Sequence, residues 1–126
     1  MLAYSTIPVS DMDAGREFYG ALLGELGAKI SLERPDGGFV AFSNGKGAMF
    51  GICKPWNGEA PNPGNGNMTA IACADGDHVK AMHAKAIELG ATNDGDAGPR
   101  LDGQVHCGYV HDPFGCLLYT SDAADE

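Results

Sequence analysis

Two matching stretches indicate the fold, Tyr4-Ser5-Thr6-Ile7-Pro8-Val9-Ser10-Asp11 and Met68-Thr69-Ala70-Ile71-Ala72-Cys73-Ala74-Asp75. Each is a short apolar run that ends in a small residue and an aspartate. Each precedes a segment of helical character that closes on glycine, residues 13–23 before Gly24 and residues 77–89 before Gly90. A strand–helix unit that occurs twice predicts two similar modules packed together, with a ligand site between them.

Length and composition place the chain among globular proteins. A chain of 126 residues forms one domain and buries about two-thirds of its unfolded surface. No apolar run approaches the ~20 residues that span a bilayer, and the first residues do not resemble a signal peptide. We therefore expect a cytoplasmic protein without a membrane partner. Cys53, Cys73, Cys107 and Cys116 lie far apart without a Cys-x-x-Cys motif, so we expect buried free thiols.

The charge balance narrows the choice of partner. The chain carries 17 acidic and 8 basic residues, a formal net charge of −9. Binding to nucleic acid phosphates requires clustered Lys and Arg, so we expect no nucleic acid partner. A negative protein favours a cationic or neutral small-molecule ligand.

Apolar alternation predicts four strands in each half. In the first half they cover residues 1–9, 28–33, 39–43 and 48–54, with a turn at Asn44-Gly45, and Asp11 or Asp13 can cap the helix. In the second half they cover residues 68–74, a weak strand near Ala91, residues 105–111 and 116–120, with a loop over residues 94–103. Residues 1–126 are thus predicted to form a single domain, with module one at 1–54, a linker at 55–67, module two at 68–120 and a tail at 121–126.

Several short motifs occur in the order and spacing of a known superfamily. They are Val9-Ser10-Asp11, Phe18-Tyr19, Leu22-Leu23-Gly24, Gly64-Asn65-Gly66-Asn67, Gly98-Pro99-Arg100 and Tyr109-Val110-His111-Asp112-Pro113-Phe114-Gly115. With them the chain resembles the vicinal oxygen chelate superfamily, which includes glyoxalase I, extradiol dioxygenases, fosfomycin-resistance proteins and bleomycin-binding proteins. The resemblance implies an α+β fold of two tandem βαβββ modules that form a cupped, mostly antiparallel sheet. It also implies a homodimer.

The resemblance further implies where a metal would be held. Metal-using members bind a divalent ion with one side chain from each of four strands. These positions fall on Tyr4, Gly51, Met68 and Tyr119. None of them is His, Glu, Asp or Gln, and a hard cation requires oxygen or imidazole donors, for which a thioether or a neutral phenol is a poor substitute. We therefore predict no metal and no cofactor in the cup.

The end of the chain departs from the superfamily pattern after Gly115. Residues 116–126 resemble the translation of a sequencing adapter, as found on truncated metagenomic genes. This interpretation implies that Tyr119 stands where the intact gene encodes a Glu. The alternation of Leu117, Leu118 and Tyr119 nevertheless allows this segment to form the last strand.

Six residues are candidates for ligand binding: Tyr4, Phe50, Trp56, Met68, Arg100 and Tyr109. Tyr4 and Met68 either face a ligand at the base of the cup or fill the core of a vestigial site. Trp56 either forms a pocket wall or lid or packs locally at the rim. Arg100 either binds a carboxylate or phosphate or forms a surface ion pair with Asp94, Asp96 or Asp102.

The histidines are poorly placed for metal binding. His106 and His111 lie five apart on a strand and face opposite sides, and His78 and His83 lie five apart on a helix, about 140° round its axis. We expect structural or solvated roles for them, with His111 beside Asp112 the best placed to be oriented by a carboxylate.

Three functions follow. The first is metal-free binding of a small organic molecule, as in the bleomycin-binding branch. The alternative is a metal-dependent lyase, isomerase or dioxygenase of the glyoxalase type. The third is a relative with an empty cup that is kept for stability or for binding a partner.

Overall fold

The computed structural model describes residues 1–122 of the chain. The chain divides into two compact units, one from Met1 to Pro63 and one from Gly64 onwards. Each unit combines an α-helix with a four-stranded mixed sheet, so the predicted α+β fold of two βαβββ modules is confirmed. In the described part of the chain, neither helix has the length and apolar character needed to cross a membrane. Residues 123–126 of the predicted tail lie outside the described residues.

The first unit contains β1 (Tyr4–Pro8), α1 (Met12–Gly24), β2 (Lys29–Glu33), β3 (Phe39–Ser43) and β4 (Met49–Cys53). The strand order is β1-β4-β3-β2. β1 runs parallel to β4, and the other two pairs are antiparallel. The bounds of β3 match the prediction.

The second unit contains β5 (Thr69–Ala72), α2 (Gly76–Glu88), β6 (Thr92–Arg100), a short 3₁₀ turn (Leu101–Gly103), β7 (Val105–His111) and β8 (Leu117–Ser121). Its order, β5-β8-β7-β6, repeats that of the first unit, and β5 runs parallel to β8. The predicted repeat therefore extends from sequence to topology.

The repeated aspartates begin the two helices. The Asp11 carboxylate accepts hydrogen bonds from the backbone N–H groups of Asp13 and Ala14 at 2.9 and 3.1 Å. The Asp75 carboxylate accepts one from the N–H of His78 at 2.8 Å. Because the first N–H groups of a helix have no partner within it, a cap of this kind is worth about 1 kcal/mol. The repeated aspartate is thus a structural signal.

Helix α1 covers one face of the first sheet. The Tyr19 ring of α1 lies 4.8 Å from the Phe50 ring, and a Cβ on Gly15 would lie 3.0 Å from Cδ1 of Ile52. Since side chains alternate along a strand, the other face carries Tyr4, Thr6, Pro8, Phe39, Ala41, Met49, Gly51 and Cys53. We call this surface the open face of sheet one.

Helix α2 covers one face of the second sheet in the same way. A Cβ on Gly76 would lie 2.8 Å from His106, and one on Gly108 would lie 2.8 Å from His83, so His106 and Gly108 face the helix. By alternation, the opposite face carries Ala70, Cys107, Tyr109, His111 and Tyr119. We call this surface the open face of sheet two.

The prediction of a loop over residues 94–103 is wrong for most of this segment. The chain continues as β6 to Arg100 and pairs with β7, with irregularities between Asn93 and Gly95 and between Gly95 and Gly98. The segment is mostly exposed, so its sequence has no apolar alternation to indicate a strand. It forms a strand because it pairs with β7, with bulges at the irregular positions. β6 lies at the edge of its sheet, where Pro99 is tolerated.

Candidate functional site

The open face of sheet one carries an aromatic pair among small and apolar side chains. The rings of Tyr4 and Phe39 lie 5.7 Å apart at an angle of 59°. Tyr4 remains 48% exposed. The hydroxyl of Ser31 donates to the sulfur of Met49 at 3.2 Å. This face therefore offers a phenol, a phenyl ring and a thioether, groups that contact organic ligands rather than ions.

Gly51 lies in the middle of this face, where the strands approach closely. A Cβ at this position would lie 2.9 Å from Cγ2 of Thr6, 3.2 Å from the ring of Phe39 and 3.3 Å from the carbonyl oxygen of Ser5. Position 51 thus has no room for a side chain unless its neighbours move, and the first module's implied carboxylate or glutamine ligand does not fit there.

The open face of sheet two carries a second aromatic pair. The rings of Tyr109 and Tyr119 lie 5.0 Å apart, and a Cβ on Gly95 would lie only 3.0 Å from the Tyr109 ring. A hydrogen bond with Ser121 lowers the pKa of Tyr119, but burial and the neighbouring Cys107 and Tyr109 outweigh it and raise this pKa above its ordinary value. Tyr119 therefore stays neutral at physiological pH and acts as a phenol rather than as an anionic ligand.

The donor groups at the four implied metal positions do not suit a hard divalent cation. They are two phenols, a thioether and a glycine: Tyr4, Tyr119, Met68 and Gly51. Met68 is 48% exposed. Among residues 1–122, no group of three or more His, Cys, Asp or Glu side chains is placed to hold a metal.

Each histidine has a local partner. The Nδ1 atom of His78 accepts from the Ala74 N–H at 2.9 Å, and Nε2 of His83 lies 3.1 Å from Oδ1 of Asn93. The Asp122 carboxylate accepts from the backbone N–H of His106 at 2.8 Å and lies 3.1 Å from its Nδ1. The hydrogen bond from the His106 backbone is the main reason why the pKa of Asp122 is lowered, and the contact with the His106 ring adds to this effect. His106 and His111 face opposite sides of the sheet, as predicted.

The carboxylate beside His111 is not the one expected from the sequence. Nε2 of His111 lies 3.4 Å from Asp94, and Nδ1 lies 3.3 Å from the carbonyl oxygen of Gly115. Asp112 instead accepts from the N–H groups of Phe114 and Cys116 at 2.9 and 2.8 Å. Asp112 is adjacent in sequence, but it is used to close the turn between β7 and β8.

Two candidate residues lie apart from the aromatic pairs. Phe50 faces α1 and packs on Tyr19, so it is on the opposite side of the sheet from Tyr4. The guanidinium of Arg100 donates to the carbonyl oxygens of Pro99 and Asp96 at 3.1 and 2.9 Å. Arg100 thus binds backbone oxygens of its own strand. Within residues 1–122 it forms no ion pair with Asp94, Asp96 or Asp102.

Trp56 borders a groove in the first unit. The groove has a volume of about 470 Å³, and its lining includes Pro8, Pro55, Trp56, Asn57, Glu59 and Asn62. The guanidinium of Arg34 lies over the indole, 5.4 Å from the ring centre. Glu59 and Phe39 were not among the predicted site residues, because their placement depends on how the linker folds and on the register between strands.

The cysteines are free thiols. Cys73, Cys107 and Cys116 are buried, as predicted, and Cys53 is half-buried. Burial raises the pKa of Cys73 to about 11 and that of Cys116 to about 12, the latter with a contribution from Asp112. Both thiols are therefore protonated and unreactive at neutral pH.

Known structures share this fold. A glyoxalase/bleomycin resistance protein from Albidiferax ferrireducens T118 is 28% identical, with a TM-score of 0.85 over 96% of this chain and 97% of the other. A glyoxalase/bleomycin resistance protein/dioxygenase family enzyme from Burkholderia phytofirmans PsJN is 17% identical, with a TM-score of 0.77 over 94% and 95%. A lactoylglutathione lyase from Agrobacterium tumefaciens is 18% identical, with a TM-score of 0.70 over 96% and 92%. No family model and no curated protein matches the chain.

Proposed function

We propose that this chain, which belongs to the vicinal oxygen chelate superfamily, binds a small organic molecule without a metal ion. The observation that carries the proposal is the set of groups at the four positions where metal-using members hold their ion. Tyr4, Gly51 and Met68 stand at three of these positions and carry the argument, because Tyr119 at the fourth lies in the segment that resembles a sequencing adapter. A side chain at position 51 would collide with Thr6. The chemistry that remains favours apolar and aromatic contacts with a ligand.

The two aromatic pairs support this proposal. Tyr4 and Phe39 on sheet one, and Tyr109 and Tyr119 on sheet two, each present ring surface next to a phenol oxygen. Ring faces bind flat organic groups, and the phenols supply hydrogen bonds that fix orientation. We assign Tyr4, Met68 and Tyr109 to the ligand surface. Phe50, which packs on α1, is assigned to the core.

The charge of the protein suggests the class of ligand. The formal net charge of −9 favours a cationic or neutral molecule and disfavours nucleic acid. The similar structures include both a glyoxalase/bleomycin resistance protein and a lactoylglutathione lyase, so the choice of binding over catalysis rests on the groups at the implied metal positions. We further propose a cytoplasmic homodimer, following the superfamily pattern.

Titration with cationic glycopeptide antibiotics tests the proposal. A ligand at 100 times its Kd stabilises the folded state by about 2.7 kcal/mol, which corresponds to a rise in Tm of roughly 10 °C for a chain of this size. We expect such a rise, and we expect Tyr4→Ala and Tyr109→Ala to reduce it. Leu101→Ala removes an apolar side chain that is 72% exposed on the β6–β7 connection, and it serves as the matched control.

Two results would count against the proposal. One is an unchanged Tm at high ligand excess, which would remove this ligand class. The other is turnover of the methylglyoxal–glutathione adduct that depends on an added divalent metal, which would favour the glyoxalase-type alternative.

A further inference from the structure

The groove beside Trp56 offers a concave surface apart from the two aromatic pairs. It shares no lining residue with either aromatic pair of the open faces. Its volume of about 470 Å³ falls in the range of sites that hold small organic ligands. It lies wholly within the first unit.

The backbone holds Trp56 at the tip of a turn. The carbonyl oxygen of Pro55 accepts from the N–H of Gly58 at 3.1 Å, and Gly58 adopts a φ of +75°, which favours glycine. The side-chain oxygen of Asn57 accepts from the N–H of Glu59 at 3.0 Å. The indole is thereby presented to solvent with 90% of its surface exposed. A large aromatic ring held in this way is typical of a binding surface, because little conformational entropy is lost when a ligand packs against it.

The indole already attracts a cation. The guanidinium of Arg34 lies 5.4 Å from the ring centre, at cation–π distance. The Asp36 carboxylate binds this guanidinium through two hydrogen bonds, of 2.7 and 3.2 Å, and so fixes it and offsets its charge. Arg34 can cover only one face of a planar ring, and the second face is available to another group.

Glu59 gives the groove its charge. It is exposed, and its carboxylate has no hydrogen bond or ion pair with the other described residues. No Lys or Arg is among the residues that line the groove. We propose that this groove binds a small organic cation that carries a flat apolar group, with the cation near Glu59 and the flat group against Trp56 and the prolines. This site contains neither aromatic pair and meets the open face of sheet one at Pro8.

The only tryptophan of the chain reports directly on this site. Titration of the intact protein with benzyltrimethylammonium should change the Trp56 fluorescence in a saturable way. Benzyl alcohol, which is neutral, and benzoate, which is anionic, should bind more weakly. Calorimetry on Trp56→Ala should detect no saturable binding of benzyltrimethylammonium.

The charge is tested with Glu59→Gln. We expect this variant to bind benzyltrimethylammonium about twofold to fivefold more weakly, the size of an exposed ion pair. Glu17→Gln makes the same change at an exposed position on α1, outside the groove, and should bind like the unchanged protein. The proposal is overturned if benzoate binds as tightly as the cation, or if Glu59→Gln and Glu17→Gln behave alike. Tyr4→Ala should leave this binding unchanged, which separates this test from that of the open faces.

Discussion

Gly51→Ala tests whether the centre of the first open face is closed to side chains. The added Cβ would lie 2.9 Å from Cγ2 of Thr6, 3.2 Å from the Phe39 ring and 3.3 Å from the backbone oxygen of Ser5. Thr6 is β-branched and therefore stiff at χ1, and the backbone oxygen cannot turn away. Something in the strand pair must shift to admit even a methyl group.

The expected cost follows from these contacts. Overfilling a packed site costs about 1–3 kcal/mol, while replacing glycine lowers the entropy of the unfolded chain and returns about 0.4–1 kcal/mol. With the middle of each range, the free energy of unfolding should fall by about 1.3 kcal/mol, and Tm by roughly 5 °C. Gly51→Glu, which would install a carboxylate at the implied metal position, should cost at least as much.

Urea denaturation followed by circular dichroism measures the change. Gly20→Ala is the control, because a Cβ there meets nothing within 4 Å and the position is inside α1, where alanine should stabilise by about 0.5–1 kcal/mol. Thr6→Ser removes the colliding methyl group, so it should recover part of the loss in the double variant with Gly51→Ala. Equal stability of Gly51→Ala and the unchanged protein, or additive effects of the two substitutions, would show that position 51 has room for a methyl group.

Three further predictions concern thiols, pH and the last strand. An aromatic disulfide reagent should modify the half-buried Cys53 first and should reach Cys73 and Cys116 only after unfolding. Equal rates for the three thiols in the native protein would contradict the burial of Cys73 and Cys116. Because the folded-state pKa of Asp122 is lowered, its contribution to stability is present above the unfolded pKa of about 3.9 and is lost as pH falls through the folded value. Asp122→Asn should therefore be destabilised at pH 7 but not at the lowest pH, and a pH-independent difference in urea midpoints would refute this. Leu118→Ala, at a side chain that is 1% exposed, should lose about 2–5 kcal/mol in the same assay, whereas a loss below about 1 kcal/mol would mean that β8 does not belong to the core.

The elements that the sequence predicted well have a strong local signal. β3 and β7 have the predicted bounds because apolar side chains fill one face of each strand, and Asp11 was among the predicted caps because a carboxylate before an apolar stripe is typical of a helix start. The predicted weak strand near Ala91 marks only the start of β6. Apart from Ala97, Thr92–Arg100 contains only polar residues, glycine and proline, and the strand forms through pairing with β7.

The site was harder to predict than the fold. Every residue of Met49–Cys53 is apolar or small, so the pattern could not indicate which face of β4 meets the helix, and Phe50 was assigned to the ligand. The open face of sheet one depends on the register that sets Thr6 beside Gly51 and Phe39 beside Cys53. Such pairings between distant segments are not visible in a single sequence.

The metal content of the purified protein distinguishes metal-free ligand binding from an occupied metal site. The protein, made without a metal-binding tag, is analysed for Ni, Zn, Fe and Mn, and is then titrated with each divalent ion by calorimetry. We predict only trace metal and no saturable binding that Tyr4→Phe or Met68→Leu would alter. An equimolar ion that is lost in these two variants would contradict this prediction.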